Sequence, residues 1–182
     1  MTSTTLLPGF NAPAVGFEQP FEMLEACHER VQRSLGLLER LLAHIDANGH
    51  DASSRSAAAD VLRYFDIAAP HHHEDEERHV FPALAGSQDD RIHEAVARLK
   101  SDHARMDFLW ARLRRVLLAW RDDQPAPLPT AADRALVRDF ALCYADHIPL
   151  EETLVYPAAR ALFDAGRLTA IGEEMASRRR AS

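Results

Sequence analysis

The sequence predicts an all-α protein. An up-down-up-down four-helix bundle is expected over residues 20–165, preceded by an extended N-terminal arm (1–19) and followed by a short C-terminal helix and tail (166–182). Three observations carry that expectation. Apolar residues between positions 20 and 165 recur at alternating steps of three and four, while the alternation of β-branched residues that marks strands is nearly absent. The periodicity falls into four blocks, separated by "NGHDASS" (48–54), "AGSQDD" (85–90) and "DDQPAPLPT" (122–130). Connections this short join antiparallel neighbours, which is the topology of a simple bundle.

The arm comes first in the chain. Pro8, Gly9, Pro13, Gly16 and Pro20 interrupt it too often for a helix. The first helix carries the seam Leu24, His28, Val31, Leu35, Leu38, Leu42, Ile45, apolar except for one histidine. The second reads Val61, Phe65, Ala68, His72, Glu76, His79, and so places a histidine and a carboxylate one turn apart in the core. The third reads Ile92, Val96, Leu99, His103, Met106, Trp110, Leu113, Leu117, Trp120, with His103 where a leucine belongs. The fourth, Val137, Phe140, Tyr144, His147, Glu151, Leu154, Ala158, Ala161, repeats the His/Glu pairing of the second. After Gly166, read as a helical stop, "GRLTAIGEEMASRRR" predicts a short fifth helix ending in solvated arginines.

Composition narrows the function classes. A chain of 182 residues is long enough to bury a core without staples, and its two cysteines, Cys27 and Cys143, allow no disulfide framework and read as core fillers. The net charge of −7 disfavours nucleic acid and anionic membranes as partners. No apolar run approaches the ~20 residues of a membrane span, and "MTSTTLLPGF" lacks the basic and apolar regions of a secretory signal, so a cytoplasmic location is expected. The sequence leaves the oligomeric state open, with a homodimer allowed.

A single histidine in an apolar seam is ordinarily a core residue hydrogen-bonded to a carbonyl. Four helices each contributing one, with two inward glutamates beside them, require another explanation. Each buried carboxylate costs several kcal/mol unless a cation compensates it. Four imidazoles and two carboxylates form a donor set suited to a pair of first-row metal ions. The candidate ligands are therefore His28, His72, Glu76, His103, His147 and Glu151.

Two stretches extend the reading from chemistry to kinship. "HHHEDEERHVFPAL" (71–84) and "HIPLEETLVYPAAR" (147–160) each place a proline six residues after the candidate glutamate, behind an aromatic residue. They resemble the doubled motif of the hemerythrin-like HHE cation-binding domains, and the likeness spans residues 20–165. The resemblance implies a four-helix bundle around a bridged di-iron centre, with the same six residues as ligands. Two iron ions are the expected cofactor, and zinc or another divalent metal can take their place in recombinant material. Oxygen-carrying members have a further histidine four residues after the third-helix ligand; here that position is Asp107, which either reaches the metal or is solvated. The expected function is binding or sensing of dioxygen, nitric oxide or peroxide in a stress response. The alternatives are a di-iron oxidoreductase acting on nitric oxide or peroxide, and iron delivery or repair of iron–sulfur centres. Catalytic residues are not legible.

Other polar residues receive plainer readings. His71 and His73 are expected in solvent, and His44, His50 and His93 at helix ends or outer faces. His79 is either a partner behind the ligands or a rim residue. Tyr144 either packs or donates a hydrogen bond to a metal-bound ligand. Pro70, Pro82, Pro149 and Pro157 are expected to kink their helices near the ligand turns.

Overall fold

The computed structural model describes residues 16–181; most of the expected arm, residues 1–15, lies outside the described residues. Among the described residues the chain is entirely helical. Helix α1 spans Pro20–Asn48 and begins with proline at its first turn, where no backbone donor is needed. It stops at Gly49, whose φ of 73° falls in the left-handed region that favours glycine, and whose N–H bonds Ile45 O at 2.8 Å. Helix α2 (52–83) starts at Asp51, which exchanges side-chain to backbone hydrogen bonds with Ser54. Helix α3 spans Asp90–Asp122 and helix α4 runs over 131–160, the latter opened by a reciprocal cap between Thr130 and Asp133. Helix α5 spans Ala165–Ala181. The first four form the bundle, α1 and α3 each packing against α2 and α4.

Helices α2 and α4 are not uniformly α-helical, and this corrects the expected seams. A π-helical turn occupies Tyr64–Ala68 and another Glu76–Val80 in α2; a third occupies Glu151–Val155 in α4. Each is closed by a hydrogen bond from the N–H of the residue preceding a proline. Ala69 N–H bonds Tyr64 O, Phe81 N–H bonds Glu76 O, and Tyr156 N–H bonds Glu151 O, with Pro70, Pro82 and Pro157 next in sequence. A helical proline lacks its own donor and its ring clashes with the carbonyl four residues back. Widening the preceding turn by one residue absorbs that clash. The extra residue shifts the inward stripe: Ala69 is buried rather than Ala68, Val80 and Phe81 rather than His79, and Val155, Tyr156 and Ala159 rather than Leu154, Ala158 and Ala161. The expected kinks at these three prolines are thus π turns, while Pro149 lies within an α-helical stretch. In α1 the buried residue at that level is Leu41, with Leu42 at the edge.

The apolar core is divided in two. One cluster contains Val31, Phe65, Ala69, Met106, Phe140 and Tyr144; the other contains Leu24, Cys27, Val80, Leu99, Val155 and Ala159. His28, His72, Glu76, His103, His147 and Glu151 lie along their helices between the members of these clusters and are all buried. The antiparallel helices therefore bring the polar seam positions to one level, as a slab across the bundle.

Helix α5 is the expected C-terminal helix, but its end departs from the expectation of solvated arginines. Ile171 and Met175 join the second cluster, and Gly172 lies so close to the Phe17 carbonyl that a Cβ would stand 1.8 Å from its oxygen. Arg178 and Arg179 are not solvated: both bind the fully buried carboxylate of Asp75, Arg179 Nη2 at 2.6 Å from Oδ2. Asp75 faces outward from the bundle axis because it stands beside inward-facing Glu76, and α5 covers it. Gly166 lies in the first turn of α5 rather than at the end of a helix, since α4 already stops at Arg160. No helix among the described residues is long and apolar enough to cross a membrane.

Candidate metal centre

The two inward carboxylates each face two ways. Glu76 Oε1 lies 3.6 Å from His72 Nε2, and its Oε2 lies 3.4 Å from His103 Nε2. Glu151 places Oε2 3.1 Å from His28 Nε2, and Oε1 3.0 Å from His147 Nε2 and 4.0 Å from His103 Nε2. One oxygen of each glutamate thus serves the His28/His72 side and the other the His103/His147 side. The potential ligand atoms fall into two groups accordingly: His28, His72, Glu76 and Glu151 on one side, and His73, His103 and His147 on the other, with atoms in each group within 4.8 Å of one another.

Carboxylates outside the slab orient three of the imidazoles. His28 Nδ1 is 2.8 Å from Glu152 Oε1, His103 Nδ1 is 2.9 Å from Glu77 Oε1, and His147 Nδ1 is 3.4 Å from Asp102 Oδ2. An Nδ1–H donated outward leaves the Nε2 lone pair directed into the slab. Glu77 and Glu152 directly follow the inward glutamates, so each consecutive Glu pair points one carboxylate inward and hands the other to a histidine on a neighbouring helix. Tyr156 stacks on His28 with ring centroids 5.6 Å apart and donates its hydroxyl hydrogen to Glu76 Oε1. Glu77, Glu152 and Tyr156 are not among the site residues expected from the sequence, although the repeated Glu-Glu and aromatic-Pro steps carry a signal for them. Tyr144, singled out instead, packs its ring on Phe65 and Phe140.

The electrostatics are those of a cation site. Burial, reinforced by the neighbouring Glu76, pushes the Glu151 carboxyl well above the usual range. Burial also acts to raise Glu76, but His72 and His103 outweigh it and hold that carboxyl well below its ordinary value. Burial drives His72 down to about 3. For His103 burial is overcome by Glu76 and Glu77, which raise it to about 9, and Glu151 and Glu152 likewise overcome burial to raise His28. Protons alone would have to be shared unevenly across the slab, and even so His72 Nδ1, Glu76 Oε2, His103 Nε2, His147 Nε2 and both Glu151 oxygens are buried without a hydrogen bond. Apart from His72 Nδ1, which points away from Glu76, these orphaned atoms face one another across the slab and are consistent with a metal site, their two groups with a di-metal one.

The remaining predicted residues fall outside the slab, with one exception. His79 bonds Glu174 of α5 at 2.6 Å. Asp107 is exposed and belongs to neither ligand group. His44, His50 and His93 bond Asp51, Pro127 O and Ser87 O near helix ends. His73 is the exception: expected in solvent, it instead stacks on His103 with centroids 4.0 Å apart and planes within 12°. Successive helical residues are about 100° apart around the axis, so with His72 pointing inward His73 turns towards α3. It also walls a narrow pocket of about 30 Å³, shared with Phe65, Met106, Asp107, Phe140 and Tyr144.

Comparison with known proteins agrees with this geometry. Residues 19–159 match the family described as the hemerythrin HHE cation binding domain. The chain is also similar to an uncharacterized protein of Haemophilus influenzae, 31% identical over 166 residues, which is 90% of this chain and 91% of that protein.

Proposed function

The chain belongs to the hemerythrin HHE cation-binding family, and on that premise we propose that it holds two iron ions on His28, His72, Glu76, His103, His147 and Glu151. With them it binds or senses a small oxidant, dioxygen, nitric oxide or peroxide, as part of a cytoplasmic stress response. The observation that carries the choice of ligand class is the pocket beside His73. At about 30 Å³ it has room for a molecule near the size of water or a diatomic gas.

When held by these six residues, a reduced di-iron pair would supply two electrons to a bound small oxidant. The chain's residues supply the rest. Glu77, Glu152 and Asp102 keep Nδ1–H on three histidines, so that Nε2 is the donor atom. Tyr156 holds a proton against Glu76 Oε1, and its own burial keeps that hydroxyl protonated. The aromatic wall of Phe65, Phe140 and Tyr144 limits water at the approach. The test is anaerobic mixing of the reduced, iron-loaded protein with nitric oxide. Stoichiometric adduct formation without nitrous oxide supports a binding or sensing role. Continuous nitrous oxide production makes the protein a reductase instead, and failure to react with nitric oxide, dioxygen and peroxide alike refutes the reading.

A further inference from the structure

The slab is built from an internal repeat, and the places where the repeat fails are informative. His28 and His103, His72 and His147, Glu76 and Glu151, Glu77 and Glu152, and Pro82 and Pro157 are all related by one offset of 75 residues. The contacts obey the same relation: Glu77 orients His103 and Glu152 orients its counterpart His28. An exact repeat would give two equivalent metal positions with two imidazoles each. Three departures break the equivalence. Asp102, which supports His147, corresponds to Cys27, and His72 Nδ1 is left without a partner. Tyr156, whose hydroxyl reaches Glu76, corresponds to Phe81, which stacks on His103 with no hydroxyl to offer. His73 corresponds to Ile148, a buried aliphatic residue.

We propose that His73 is a fifth imidazole ligand, bound to the ion held by His103 and His147, so that the two ions differ in nitrogen count. The inference rests on the two-ion reading above. Its geometric basis is that a nitrogen of His73 lies within 4.8 Å of one from each of those two histidines. Two ligands at ~2.1 Å from a common ion are at most ~4.2 Å apart, and His73 is stacked on His103 with planes within 12°, so His73 must turn about its side-chain bonds as well as close in to aim its lone pair at that ion. The neighbouring surface agrees: His73 forms the wall between the small pocket and the slab, where a solvated histidine would instead project outward. The fifth nitrogen thus comes from the second helix, and Asp107 on the third need not supply a ligand. The His28/His72 ion is left with fewer nitrogens and with the Tyr156 hydroxyl beside it.

The test uses cobalt(II) as probe on the full chain under anaerobic conditions. His73→Ile copies the residue found at the repeat counterpart, and His73→Gln serves if the first variant misfolds, folding being judged by circular dichroism of the metal-free proteins. His71→Ile is the control. Wild type should take up two equivalents. In the His73 variant the first should bind normally, and the second should weaken by more than ~100-fold, beyond the 10 to 100-fold typical of a residue that only supports a ligand, with its visible absorption band changed in position and intensity. An unchanged band for the second equivalent overturns the assignment, whatever the affinity. Failure of wild type to bind two equivalents is a different result and refutes the two-ion reading itself.

Discussion

Replacing Asp75 by alanine tests how the fifth helix is coupled to the bundle. The Asp75 carboxylate is completely buried and is held by Arg178 and Arg179, which are themselves 15% and 21% exposed. Breaking a buried ion pair by removing one partner costs about 3–5 kcal/mol. Two features reduce that here. Both guanidinium groups keep some solvent, and neither is left alone, because Arg178 also pairs with Glu74 at 2.9 Å and Glu174 at 2.7 Å while Arg179 bonds Met175 O. A loss of about 2–3 kcal/mol is therefore expected. At about 2–4 °C per kcal/mol for a chain of this size, the melting temperature of the metal-free protein should fall by about 4–12 °C. Thermal unfolding followed by circular dichroism measures it. Arg178→Leu and Arg179→Met added to Asp75→Leu should recover most of the loss, since an apolar replacement of the whole cluster leaves no buried charge. A shift within 1–2 °C for Asp75→Ala would refute the claim that α5 is fastened through this carboxylate.

Three further outcomes are expected. Glu77→Ala should lower affinity for one ion of the pair by ~10 to 100-fold and Glu152→Ala for the other, because each removes the carboxylate that orients a different histidine; competition with a calibrated chelator reads both, and equal effects on both ions would contradict the pairing. Glu76→Ala or Glu151→Ala should strip both ions, whereas His79→Ala should leave metal content unchanged because His79 pairs with Glu174 outside the slab; metal analysis of the three purified variants decides, and equal loss in all would remove the distinction between bridge and rim. Finally, the metal-free protein should lose stability between pH 7 and pH 9. The folded-state pKa of His103 is raised to about 9 by Glu76 and Glu77 against burial, from an ordinary value near 6.5, so its contribution is full below pH 6.5 and disappears as pH rises through 9. His28 is raised too and acts in the same direction. Metal loading displaces these protons and should abolish the fall; a metal-free protein whose urea midpoint is flat across the window would contradict the assignment.

Much of the bundle was legible because helical periodicity is a local property. A histidine in an otherwise leucine-rich seam declares itself without any knowledge of its neighbours, and so His28 and His103 could be read directly. The shift of register after Glu76 and Glu151 was not read, although its cause was visible: Pro82 and Pro157 force a wide turn, and a period of 3.6 carried through that turn puts His79 inside when it belongs outside. Contacts between helices were harder. His73 looks like any exposed neighbour of a ligand until α3 brings His103 against its face. Asp75 looks like one more charge in an acidic run until Arg178 and Arg179 arrive from residues more than a hundred positions away. Tyr156 occupies the place that Phe81 fills in the other half, and only its hydroxyl, reaching across to Glu76, distinguishes the two. Sequence spacing encodes which side of a helix a residue takes, and tertiary packing decides what it meets there.

The central claim is that the buried slab of histidines and glutamates exists to hold two metal ions. Metal analysis of protein prepared with iron supplementation, repeated after anaerobic reconstitution with iron(II), tests it most directly. The account predicts ~2 ions per chain, lost together when Glu76 or Glu151 is changed to alanine. One ion per chain, or none, in a folded preparation would contradict it.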